Sequence, residues 1–163
     1  MKDLQKNESR DLAFAIAKIL DDKKAENVEV YNVAHLSSVA DYFVMATASN
    51  TTLVKALADF VEENLVKVGI RNLRRDGAQE WIVLDYNFVI VHIFTPDVKT
   101  FYHLDKLWND GKNVYNLQDI QKLIEKEEKL EEKAKIKKEE KSKQNKEKVK
   151  VKDKKEDKKV KNN

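Results

Sequence analysis

Three histidines, His35, His92 and His103, are the residues of this chain best suited to exchange a proton near neutral pH. None stands in a His-x-His or His-Glu-x-x-His pattern, so a metal ion would have to gather its ligands from distant places. His92 has the most suggestive setting. It lies in the second of two β-rich runs, 81–86 and 88–94, with Asn87 between them. A hairpin turning near Asn87 puts Trp81, Asp85 and His92 on one face by strand alternation. A carboxylate beside an imidazole can orient a general base, so Asp85 and His92 are the pair an enzyme would use. The plainer reading is a half-buried histidine satisfied by one hydrogen bond. No serine is visibly paired with it as a nucleophile. The chain has no cysteine, which excludes disulfides, thiolate catalysis and zinc–thiolate sites.

Phosphate chemistry finds less support. The turn from the first apolar strand into the following helix reads Ala48-Ser49-Asn50, without a glycine to let the backbone approach a phosphate. A nucleotidyltransferase would need Gly-Ser at that turn and two carboxylates, spaced i and i+2 on the next strand, to hold metal ions. Residues 1–116 contain no acidic pair at that spacing.

The two tryptophans say more. Trp81 opens a strand next to Glu80, and Trp108 ends a helical segment next to Asn109 and Asp110. Aromatic residues beside polar ones at element ends serve as interface anchors, and a lid over the core is the competing reading. Between Lys99 and Trp108 stand Phe101, Tyr102 and His103, a high density of rings for one short charged segment.

The elements that must position these residues emerge from hydrophobic spacing. Leu12, Ile16, Ile19 and Leu20 mark a helix over 9–20 that Ser9 or Asn7 could cap. Val28 and Val30 alternate with Glu29 and Tyr31 as a short strand. Residues 42–48 are apolar on both faces, as a central strand is. Ser49-Asn50-Thr51-Thr52 starts the clearest helix, with Leu53, Leu57, Phe60, Val61, Leu65 and Val68 in period and Gly69 at its end. Asp76-Gly77 reads as a turn. The hairpin over 81–94 comes next. Thr95-Pro96-Asp97 then launches a last helix, with Thr95 as its cap and Gly111 closing it. The order predicts an α/β domain with a mixed β-sheet flanked by helices.

Charge separates this domain from the rest of the chain. Residues 1–116 hold 14 Lys and Arg against 17 Asp and Glu, a net −3, and every Trp, Tyr and Phe lies at or before Tyr115. Residues 117–163 hold 18 Lys against 12 Asp and Glu, a net +6. The basic balance of the whole chain therefore belongs to the extension, and the domain is not a basic nucleic-acid binder. The predicted boundaries are a domain over 1–116 and a Lys/Glu-rich extension over 117–163. Glu125 with Lys129, Glu131 with Lys135 and Glu139 with Lys143 support a solvated helix to about residue 141, and disorder is expected beyond Ser142. No apolar run approaches the roughly 18 residues of a membrane span. The first eight residues lack both a signal-peptide core and an acid-free, Arg-rich transit pattern, so a soluble, non-secreted, cytoplasmic protein is expected.

Five blocks now stand in order: Asp41-Tyr42-Phe43-Val44-Met45-Ala46-Thr47, Val54-Lys55-Ala56-Leu57-Ala58-Asp59, Trp81-Ile82-Val83-Leu84-Asp85-Tyr86, Val91-His92-Ile93-Phe94, and Phe101-Tyr102-His103-Leu104-Asp105-Lys106-Leu107-Trp108. Together they resemble the ribosomal silencing factor (RsfS, Iojap) family over roughly residues 8–112. The chain departs from the family pattern near Ala48, where a glycine is usual, and at Asn87-Phe88, where a Gly-Asp-like pair is usual.

The resemblance implies a non-catalytic protein of nucleotidyltransferase-like α/β topology, without cofactor or metal. It implies binding to the large ribosomal subunit through the fourteenth large-subunit protein at the face where the small subunit docks. Joining is thereby blocked sterically, and translation falls when nutrients are scarce. A homodimer in isolation is a further implication. The expected partner-binding residues are Trp81, Asp85, Lys99, Tyr102, Leu104 and Trp108. Three other readings stay open at this point: a large-subunit biogenesis adaptor, an RNA-binding module with rRNA contact by the basic tail, and a nucleotide-handling enzyme using Asp85 and His92.

Overall fold

The computed structural model describes residues 2–161 and, within them, the side chains of 8–155. Residues up to Ile120 form one compact unit and those from Gln121 another. In chain order the elements are α1 (Lys2–Asp22), β1 (Glu26–Asn32), β2 (Tyr42–Thr47), α2 (Thr51–Lys67), β3 (Arg74–Ala78), β4 (Trp81–Asp85), β5 (Val89–Phe94), α3 (Pro96–Tyr102), α4 (Leu104–Leu107), β6 (Val114–Asn116) and α5 (Leu117–Lys161). The six strands make one mixed sheet in the order β3-β4-β5-β2-β1-β6. Only β2 and β5 run parallel, and the other pairings are antiparallel. The predicted α/β class and mixed sheet are what the chain forms.

β2 is the axis of the sheet. All six of its residues are buried, as its two-sided apolar pattern demands. Register then sorts the neighbours. Val44 pairs with Val30 on one side and Val91 on the other, and Val91 pairs with Leu84. Tyr115, opposite Val30, meets the ring of Phe14 in α1 at 5.9 Å, and Arg75, opposite Leu84, meets Asp59 and Glu62 of α2 at 2.8 and 3.2 Å. Both long helices of the domain therefore lie over this face. Within the predicted start signal 49–52, Asn50 is the residue that caps α2, its Oδ1 accepting from the Leu53 amide at 2.8 Å.

The opposite face carries Tyr31, Phe43, Met45, His92, Phe94 and Trp81. Short α3 and α4 bury its centre through Val98 and Leu104, with Val33 and Ala40 completing the cluster. Toward β4 and β3 the cover runs out. Trp81, Val83 and Asp85 are half-buried, and Arg74, Asp76 and Ala78 on the same face are exposed.

Several expectations are corrected. α1 begins at Lys2, so neither Ser9 nor Asn7 caps it; Ser9 is buried inside the helix, and the Asn7 side chain lies outside the described residues. Asp76 and Gly77 do not turn: they lie within β3, paired with Val83 and Ile82, and the chain reverses at Gln79–Glu80. Gly77 is needed there because, at φ +84°, a Cβ would collide with the carbonyl oxygen of Trp81. Thr95 has the extended backbone of a cap but makes no capping bond through its side chain. The last helix is broken at His103, which adopts φ +50° and ψ +42°, so Gly111 lies in a later turn.

The helix of the extension also runs further than expected. α5 continues to Lys161 instead of ending near Ser142. Lys, Glu and Gln are strong helix formers, and no Gly or Pro interrupts the chain after Gly111. Propensity thus sustains a helix where hydrophobic burial does not. Its first turn belongs to the domain unit, where Ile120 is fully buried, and the far end of the tail, Asn162 and Asn163, lies outside the described residues.

The contact at Gly77 makes a stability prediction. Gly69 has nearly the same φ, +83°, but open space around it. Gly69→Ala should cost about 1 kcal/mol from backbone strain, whereas Gly77→Ala adds a collision in the hairpin that carries Trp81 and should cost about 2–3 kcal/mol. Thermal melting of the two variants checks this, and equal losses would contradict it.

Candidate functional site

The sequence of β4 and β5 places Trp81 opposite Phe94, Val83 opposite His92 and Asp85 opposite Ile90, all on the sparsely covered face. What forms there is a row of rings. Trp108 meets Phe43 edge-on at 4.8 Å between centroids, and Phe43 meets His92 at 5.2 Å. His92 lies 6.0 Å from Trp81, Trp81 lies 5.3 Å from Tyr102, and Tyr102 lies 4.9 Å from Phe101. The tilted and edge-on geometries suit the ring quadrupoles, and each such pair contributes about 0.5–1.5 kcal/mol beyond its buried area.

Exposure grades along the row. Phe43 is buried at 6%, Trp108 and Trp81 are half-buried, Tyr102 is 54% exposed and Phe101 76%. Leu107, at 66%, adds an aliphatic side chain from α4. The αL backbone of His103 lets one short segment do two jobs. Val98 and Leu104 enter the core while Phe101, Tyr102 and Leu107 face outward.

His92 is the hinge of the row. The indole Nε1–H of Trp81 donates to its Nδ1 at 3.3 Å, which assigns the remaining ring proton to Nε2. Burial pushes the imidazole pKa from 6.5 down to about 4, so the ring is neutral at pH 7 and can accept that bond. The second half of the postulated catalytic pair is occupied elsewhere. Asp85 Oδ1 accepts from the Asn87 amide at 2.8 Å and shapes the hairpin turn, where Asn87 has φ +73°. Among the described residues, no group of three His, Cys, Asp or Glu is placed to hold a metal ion.

Of the residues read from the sequence, Trp81 and Tyr102 are in direct ring contact, and Trp108 joins them through Phe43 and His92. Lys99 is half-buried on α3, one turn before Tyr102. Leu104 is only 6% exposed and belongs to the core cluster, so it supports the surface from beneath instead of anchoring a partner. Asp85 shares the face but sits at the turn end of β4. The expected partner-binding set left out Phe101, a 76% exposed ring of the ring-dense segment, and Val83 and Ile90, whose i and i+2 spacing from Trp81 and His92 was the available signal.

It also missed Asn113. This buried side chain donates from Nδ2 to the carbonyls of Asn32 at 2.9 Å and Trp108 at 2.7 Å, and its Oδ1 accepts from the Asp110 amide at 2.9 Å. It ties the Trp108 end of the row to β1. His35, with Nε2 at 2.6 Å from Asp110 Oδ2, makes a second link between the same loops.

One thinly covered sheet face of this α/β domain thus carries graded aromatic exposure, with its imidazole neutral and its nearby carboxylate committed to a turn. The chain belongs to the ribosomal silencing factor family: the model described as "Ribosomal silencing factor during starvation" matches residues 6–158. It is 34% identical over 97 residues to the ribosomal silencing factor RsfS of Halalkalibacterium halodurans, an alignment covering 58% of this chain and 83% of that one. It is 28% identical to the chloroplastic protein Iojap of Arabidopsis thaliana, over 66% of this chain and 47% of that one. Among solved structures, a Chromobacterium violaceum protein superposes with a TM-score of 0.59 at 26% identity, covering 61% of this chain and 85% of its own. A protein from Bacillus halodurans gives 0.55 at 30% identity, over 68% and 99%.

The neutral imidazole carries a pH prediction. A histidine whose folded pKa is depressed takes up its proton later than in the unfolded chain. Its stabilising share is therefore complete above about pH 6.5 and is lost as pH falls toward 4. Between pH 7 and 4.5 the unmodified chain should lose about 2–3 kcal/mol more than His92→Gln, at about 1.4 kcal/mol per unit of pKa. Urea midpoints at the two pH values measure the difference, and parallel losses would show that His92 does not titrate on unfolding.

Proposed function

We propose that the domain binds the large ribosomal subunit through its fourteenth protein at the face where the small subunit docks, and prevents joining by occupying that face. On this reading translation falls by a steric mechanism, in the cytoplasm, without chemistry. The carrying observation is the aromatic row, whose exposed end, Trp81, Tyr102 and Phe101, stands on a sheet face that the domain's long helices leave free. Interfaces draw most of their binding energy from a few such rings. Family membership supplies the ribosome as the setting. The net −3 of residues 1–116 favours a basic protein surface over an RNA groove. Asp85 and Lys99 flank the rings as polar contacts, and Leu104 acts through the helices it holds in place.

A steric blocker acts one for one. Light scattering of subunit reassociation, followed against added protein, should show complete inhibition near one equivalent per large subunit, and a complete block far below that ratio would reopen a catalytic reading. Sucrose-gradient sedimentation with isolated subunits should find the protein with the large subunit alone.

The anchors are tested by variants that differ in burial. Tyr102→Ala removes an exposed ring and should weaken large-subunit binding by about 1–2 kcal/mol, with little change in melting temperature. Trp81→Ala also breaks the bond to His92 and should lose roughly 2–4 kcal/mol of binding together with measurable stability. Undiminished binding by Tyr102→Ala would remove the α3 end of the row from the interface.

A further inference from the structure

The positive charge of the extension is confined to its far half. Residues 117–141 hold eight Lys and eight Asp and Glu, whereas residues 142–163 hold ten Lys and four Asp and Glu. Because α5 continues as a helix through this region, the charge also has a direction. At 3.6 residues per turn, Lys141, Lys148, Lys152 and Lys155 fall within about 60° of one another around the axis. All four are exposed. Only Lys152 of the four has an acidic residue three or four positions away, Glu156. Lys129, Lys135, Lys143 and Lys150 make the contrast: each has two or three acidic residues at those spacings, close enough to pair along the helix.

We propose that the stripe Lys141, Lys148, Lys152 and Lys155 is a binding surface for the phosphate backbone of double-stranded RNA, an inference that rests on the ribosomal reading of the domain. The four side chains span about 21 Å along the axis at 1.5 Å per residue, and Glu156 alone stands at a helix-pairing spacing from any of them, the adjacent Glu140, Glu147 and Asp153 pointing about 100° away around the axis. The extension has no aromatic ring to stack on unpaired bases, so it reads backbone and not sequence. A lipid surface is the poorer fit, since Val149 and Val151 point about 160° apart and no apolar face forms beside the lysines. The stripe thus adds a salt-dependent attachment, separate from the aromatic face of the domain.

The chain of 163 residues is titrated into a fluorescein-labelled RNA duplex of about 20 base pairs, by anisotropy, across a salt series. With four phosphate contacts at about 0.9 each, neutralising the stripe (K141Q/K148Q/K152Q/K155Q) should lower the slope of log affinity against log salt by about 3.6 and weaken binding at least about tenfold at low salt. The variant K129Q/K135Q/K143Q/K150Q loses the same charge from the acid-flanked positions and should weaken binding less than about threefold. Glutamine preserves helix propensity, and circular dichroism confirms the helix in both. Equal losses in the two variants would reduce the stripe to diffuse charge and overturn the proposal. So would tighter binding to polyglutamate than to the duplex, which would assign the stripe to an acidic protein. The naked duplex tests the stripe alone. The stripe variant is therefore also sedimented with large subunits at physiological salt. Retention there with duplex binding lost supports two separate attachments, and unchanged duplex binding by the variant overturns the stripe whatever the domain does.

Discussion

Because Trp81 donates its indole proton to His92, the largest side chain on the open sheet face is held in one orientation, and the rings on either side are placed by it. The bond requires an imidazole with a free lone pair at Nδ1, and burial against Phe43 and Trp81 supplies that by keeping the ring neutral. Toward the core, Phe43 and Trp108 continue the row and tie it to β2. Toward solvent, Tyr102 and Phe101 continue it onto α3. The exposed rings are thus continuous with a packed structure through their ring contacts.

The same geometry commits both members of the suggested general-base pair, Asp85 and His92, to other contacts. A general base needs an accessible lone pair and a partner that stabilises its protonated form. His92 has its Nδ1 lone pair engaged by an indole, and burial disfavours its protonation. Asp85, the partner that alternation suggested, is engaged by the amide of Asn87. One face and one spacing were compatible with either chemistry or packing, and the hydrogen-bond partners decide for packing.

How much of this was legible beforehand depends on what held each element in place. β2, α2 and the β4–β5 hairpin were readable because burial imposes a period on the sequence, and the capping residue of α2 and the turn at Asn87 obey local rules. β3 was not. Arg74-Arg75-Asp76-Gly77-Ala78 has no apolar alternation, since an edge strand is held by its ladder to β4 and by Arg75 reaching Asp59 and Glu62. β6 has three residues and no pattern to show. The break at His103 was invisible for another reason: a left-handed non-glycine residue is stabilised by the packing of Val98 and Leu104 on both sides of it, which is tertiary information. That break decides which members of the Lys99–Trp108 segment face outward. Hence Trp81 and Tyr102 were readable as a surface pair, while Leu104 was grouped with them and Phe101 was not.

The extension fails the opposite way. Composition argued for disorder because little apolar surface is available to bury, yet burial is not what sustains a helix of this kind. Lys, Glu and Gln lose little side-chain freedom in a helix, and acidic residues three or four positions from lysines add small increments along it. Those increments are not uniform. Some lysines have carboxylates three or four positions away, whereas Lys141, Lys148 and Lys155 have none at those spacings. The domain shows the same division in apolar form: Phe43 and Leu104 are consumed by the fold, while Phe101 and Tyr102 are left over by it. In both units the surface left open is the part of a regular pattern that the chain's own packing leaves unsatisfied, and it becomes visible only once the neighbours that satisfy the rest are known.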